Sequence, residues 1–105
     1  MRYLNIAGKE YRVEANFNAI MDFMEQIGER DLDFLTKGLS LKQWVSMMIC
    51  CINEGERLDN KPHSLTRESL GELSFVEVSA AVQSFIKIFS LQNGADEGEL
   101  ESKKK

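Results

Sequence analysis

Cys50, Cys51 and His63 are the side chains of this sequence best suited to covalent or metal chemistry. A thiol held beside an imidazole is how a nucleophilic thiolate is made, and thiolate with imidazole is a ligand set that zinc selects. The spacing argues against both. The two thiols fall in the most apolar stretch of the chain, where burial raises a thiol pKa and leaves the group inert. The histidine lies outside that stretch, next to Pro62 in a polar connection. One histidine with two vicinal cysteines also lacks the spacing of a zinc site. Neighbouring positions on a helix are about 100° apart, so a bond between Cys50 and Cys51 is strained. Two buried core thiols in a reducing compartment are the expectation. Carboxylates are plentiful, but Glu25, Glu29 and Asp31 beside Arg30 read as a solvated patch. No glycine-rich phosphate loop and no G-x-S-x-G motif occurs. The residues point to no enzyme, and to no catalytic, cofactor-binding or metal-binding side chain.

The elements that hold these residues centre on Ser40 to Gly55. Ser40 with Gln43 forms a capping box, and Gly55 is read as the left-handed stop. Between them Leu41, Trp44, Val45, Met48, Ile49 and Ile52 follow the spacing of one helical face, and Met47, Cys50 and Cys51 fill much of the rest. A helix apolar nearly all round needs neighbours on several sides. Upstream, Arg2–Ala7 and Glu10–Ala15 alternate as an antiparallel hairpin with Gly8 at a II′ corner, and Leu4, Ile6, Tyr11 and Val13 make its core face. Asn16 or Asn18 caps a helix over 17–27 with Phe17, Ile20, Met24 and Ile27 as its buried stripe, widened by Met21 and Phe23, and Gly28 as its end. Arg30 to Lys37 carries Leu32, Phe34 and Leu35 in a short turn or helix ending at Gly38. Glu56 to Ser64 is a surface loop anchored by Leu58. Thr66 caps a short helix over 67–72. Ser74 and Glu77 form a second capping box opening a helix over 75–92, with Phe75, Val78, Val82, Phe85 and Phe89 on one face.

At 105 residues the chain has the length of one domain. The expected fold class is α+β, predominantly α: a hairpin over 2–15 packed on a bundle of about four or five helices within 1–93. Residues 94–105 have one large apolar side chain, Leu100, and are expected to be a disordered charged tail. A net charge of -4 argues against nucleic acid as a partner. No run of roughly 18 apolar residues offers a membrane span, and nothing after Met1 suggests export.

The order of these elements resembles the tail assembly chaperones of long-tailed bacteriophages and prophages. Leu4-Asn5-Ile6-Ala7-Gly8-Lys9-Glu10-Tyr11-Arg12-Val13 is similar to the I-x-G-K-x-Y-x-[VL] hairpin that opens many of them. Asn16 to Glu25 resembles their F-N-A-[LI]…F-E first helix, and Trp44 to Arg57 their central helix. The Leu65-Thr66-Arg67-Glu68 start and the last amphipathic helix complete a likeness over residues 2–92. Cys50-Cys51 departs from it, since small residues such as Ala and Gly are more usual there.

The resemblance implies a binding protein of viral morphogenesis. It would hold the tape measure protein soluble, help recruit tail tube protein subunits around it, work in the host bacterial cytoplasm and be absent from the mature virion. Programmed frameshifting near the end of the short frame is common in that family, and Lys103-Lys104-Lys105 are compatible with a slippery run of A bases. A structural virion component, such as a head–tail connector or a tube-associated protein, is the alternative. A small regulatory or antitoxin-like module is a further one, though it lacks a basic DNA-reading helix. For partner contact or self-association the sequence offers the apolar stripe at Phe85, Ile88 and Phe89, with the adaptable Met47 and Met48 behind it.

Overall fold

A computed structural model of the chain describes residues 2–29 and 37–94. The expectations for Leu32, Phe34 and Leu35 and for the charged tail lie outside those residues. The chain runs β1 (Tyr3–Ile6), β2 (Lys9–Arg12), α1 (Phe17–Ile27), α2 (Leu41–Leu58), α3 (Arg67–Gly71) and α4 (Phe75–Gln92). It is α+β and mostly helical, with a two-stranded antiparallel hairpin at the front, as the periodicities indicate. No described helix is long and apolar enough to cross a membrane.

The hairpin closes one residue earlier than expected. Ile6 pairs with Lys9 and Leu4 with Tyr11, so the corner is Ala7-Gly8. Both corner residues have positive φ, 50° and 86°, which makes the turn type I′ and not II′. Gly8 takes its angle freely. Ala7 does so at some cost, which is tolerated because this register turns Leu4 and Ile6 to the core, and a slip of one residue would turn them to water. Asn5 Oδ1 braces the corner by accepting the Gly8 N–H at 3.0 Å.

Regular strand pairing stops at Arg12, yet residues 13–15 stay bonded by dividing their partners. Val13 N–H donates to Arg2 O at 2.6 Å and Glu14 N–H to Cys51 O at 3.1 Å. Ala15 N–H donates to Gln92 Oε1 at 2.7 Å, while Gln92 Nε2 donates back to Val13 O at 2.9 Å. The end of the hairpin is thereby fastened to both long helices.

Asn16 is the cap of α1, accepting the Ala19 N–H at 3.1 Å. Gly28, at φ 76°, ends it in the left-handed conformation, with Glu29 N–H reaching back to Met24 O at 3.0 Å. The buried stripe is rotated from the expected one. Ala19, Phe23 and Met24 are buried, whereas Phe17 is 74% exposed and Met21 is also exposed. A polar tether sets that rotation: Asn16 and Asn18 both donate to the Glu54 carboxylate of α2, at 2.6 and 3.2 Å.

α2 is the centre of the molecule, packing against α1, α4, β2 and α3. Its capping box is present in both directions, Gln43 N–H to Ser40 Oγ at 3.2 Å and Ser40 N–H to Gln43 Oε1 at 3.0 Å. Gly55 does not stop it. The helix runs on to Leu58 and ends in a Schellman turn, with Asn60 in the left-handed conformation, Lys61 N–H on Glu56 O at 2.8 Å and Asn60 N–H on Arg57 O at 3.1 Å. Gly55 serves packing instead: a Cβ there would collide with the Arg12 carbonyl, whose carbon lies 2.8 Å from the site. Leu58 is exposed, so it does not anchor the following loop. Leu65 does so from the core, and Glu56 holds the loop by accepting the Ser64 N–H at 3.2 Å and the Ser64 hydroxyl.

Candidate partner-binding surface

The residues expected to meet a partner are in the core. Phe85, Ile88, Phe89, Met47 and Met48 are all buried, Phe89 the least so at 8% exposed. Trp44 explains the position of the aromatic pair. Its ring meets Phe85 and Phe89 edge-on, at centroid distances of 6.1 and 5.6 Å, and the two phenylalanine rings lie 5.9 Å apart. These contacts form the seam between α2 and α4. A helical stripe of this spacing serves a core or a surface equally well, and here Trp44 decides for the core.

Nucleophilic chemistry finds no support among the described residues. Cys50 and Cys51 are buried and unbridged. Burial, helped by the nearby Asp22 charge, pushes the Cys50 thiol up to about 11, and burial raises Cys51 further. His63 is exposed on the loop after α2. No three His, Cys, Asp or Glu side chains gather as a metal site among the described residues.

An apolar groove open to solvent lies elsewhere, at the corner where three helices begin. Leu41 of α2, Arg67 of α3 and Phe75 of α4 are each the first residue after a cap, and all three line one groove. Val45, Leu70, Leu73 and Val78 form its floor and walls, and the groove holds about 400 Å3. Phe75 is 74% exposed and its neighbour Val76 75%, and Leu41 is about half exposed. Three reciprocal boxes position these side chains: Ser40 with Gln43, Thr66 with Ser69 and Ser74 with Glu77. Each one fixes the residue at which its helix starts. Lys42 and Arg67 are the charged members of the lining, which includes no carboxylate.

A second groove, about 560 Å3, lies between the hairpin and the loop after α2. Its lining balances three cations, Lys9, Arg12 and Lys61, against three carboxylates, Glu10, Glu56 and Asp59. Arg12 pairs with Glu14 at 2.8 Å and with Asp59, and Lys9 lies 5.1 Å from the centre of the Tyr11 ring. It offers neither an apolar floor nor a surplus of either sign.

Spacing alone counts Leu41 into the apolar face of α2, and Phe75 and Val76 into the apolar stripe of α4, yet all three are exposed. The capping boxes carried the missing signal. A side chain in the first turn has no preceding turn beneath it, so an apolar residue immediately after a cap is covered only if another element reaches it. Comparison of the chain with protein-family models, with curated proteins and with solved structures finds no match in any of the three.

Proposed function

We propose that this protein is a tail assembly chaperone of a long-tailed phage or prophage. It binds the tape measure protein, helps bring in tail tube subunits, and makes or breaks no covalent bond. The observation that carries the reading is the corner groove: aromatic and aliphatic side chains stand exposed beside a closed apolar core. A long helical chain awaiting assembly presents apolar stripes that aggregate unless covered. A small domain with an exposed apolar corner and a net charge of -4 can cover such a stripe and keep the complex dissolved. The segments that resemble this family support the same reading, since they comprise the hairpin, α1, α2 and the two C-terminal helices.

Co-expression with a tape measure protein is the test. The soluble fraction of that protein is expected to rise when this chain is present, and an unchanged fraction overturns the reading. The chaperone acts in the host cytoplasm and leaves before maturation, so purified particles are expected to lack it. Stoichiometric amounts in particles would replace the proposal with a structural virion component.

A further inference from the structure

We infer that the corner groove selects an amphipathic helix whose apolar stripe is flanked by acidic residues. This rests on the proposal above only in taking the groove as the docking surface; the selection by shape and charge is a separate claim.

The shape of the occupant follows from what the groove offers. Its walls are side chains of α2, α3 and α4, and at each of the three helix starts a capping box already uses backbone N–H groups. No strand borders it, so a strand laid there would find no ladder to complete. An occupant must therefore satisfy its own backbone while presenting an apolar face, which is what a helix does.

The charge of the occupant follows from the lining. Lys42 and Arg67 are both exposed, and neither makes an ion pair among the described residues. The first turn of α2 contains no acidic residue to offset Lys42. The carboxylates of the neighbouring elements, Glu68, Glu72 and Glu77, lie outside the lining, and Glu77 is occupied in accepting the Ser74 N–H at 3.1 Å. In a chain with 17 acidic residues against 13 basic ones, a groove with two cations and no carboxylate runs opposite to the net charge. Cations at the edge of an apolar floor attract carboxylates at the edge of an apolar stripe and repel lysines there, which sets selection more than strength.

Two synthetic helical peptides test this on the full-length protein. Both carry the same leucine stripe at i, i+3, i+4 and i+7; one is flanked by glutamate and the other by lysine. The acidic peptide is expected to bind about tenfold more tightly at low salt, with amide shifts confined to the starts of α2, α3 and α4. The double variant Lys42→Glu, Arg67→Glu is expected to keep its circular dichroism and to reverse the preference. Equal binding of both peptides, or a preference untouched by the double variant, overturns the charge selection and leaves groove docking standing. Binding with shifts elsewhere, or no binding of either peptide, overturns the groove as the site. If the peptides behave as expected while tape measure solubility is unchanged, the groove selects helices and the chaperone reading alone fails.

Discussion

Glu54 is charged and nearly sealed, at 4% exposed, and its neighbours make that possible. Arg57 donates from Nε at 2.6 Å and Nη2 at 2.8 Å, and the Asn16 and Asn18 amides add two further donors. Arg57 does most to hold the carboxyl down, to about 2 from an ordinary 4.5; burial opposes it, and the two asparagines assist. The folded state thus releases this proton more readily than the unfolded chain does. The stabilisation is complete above pH 4.5 and is lost as pH falls from there towards 2. Glu54→Gln keeps the size and removes the titration. It also turns an amide N–H₂ towards donors that need an acceptor, at a cost of about 1–3 kcal/mol at neutral pH. Urea midpoints measured across this pH range are expected to show the gap between wild type and variant shrinking with acid. A gap independent of pH would mean that the tether to α1 works without the charge.

At the scale of elements, α2 shows where short-range signals suffice and where they do not. The capping boxes of α2 and α4 were legible because each involves residues three apart in the chain. The rotation of α1 was not, since Phe17 and Met21 are as apolar as Phe23 and Met24; the deciding contact is Glu54, more than 30 positions away. Gly55 looked like a helix end because a glycine there commonly is one. Its role depends on Arg12, distant in sequence and adjacent in space. The two readings give opposite outcomes for Gly55→Ala. Helix propensity alone favours alanine by about 1 kcal/mol. The collision with the Arg12 carbonyl is with backbone and cannot be relieved by a side-chain rotation, and overpacking of that kind costs roughly 1–3 kcal/mol. As the hairpin is also held by Glu14 N–H on Cys51 and by Gln92, it cannot easily retreat. A net destabilisation of up to about 2 kcal/mol in chemical denaturation is expected. A variant as stable as wild type would show that the hairpin shifts freely on α2.

For the whole molecule, the division of apolar surface between interior and exterior separates the residues that hold the fold from those the proposed binding would use. Leu4, Ile6, Phe23, Met47, Met48, Ile52 and Phe85 close a core shared by the hairpin and the long helices. Phe75 and Val76 are left outside, although they belong to the same helix as Phe85 and Phe89. Substitutions on one helix therefore separate folding from binding. Phe89→Asp places a carboxylate against Trp44 in the α2–α4 seam. The lost aromatic packing alone costs roughly 3–5 kcal/mol, a large share of the stability of a domain this size. Loss of the cooperative thermal transition is expected, and a folded Phe89→Asp protein would reopen the surface role first considered for that residue. The double variant Phe75→Ser, Val76→Ser removes side chains that water already surrounds, so the melting temperature is expected to stay near that of wild type. Phe75→Ser also removes the aromatic side chain from the lining of the corner groove, and Val76→Ser removes the exposed apolar neighbour beside it. If an aromatic anchor there provides much of the attachment, affinity for an amphipathic helix falls by about tenfold or more, and the soluble yield of a co-expressed tape measure protein falls with it. A stable double variant that retains both activities would place the working surface on another face.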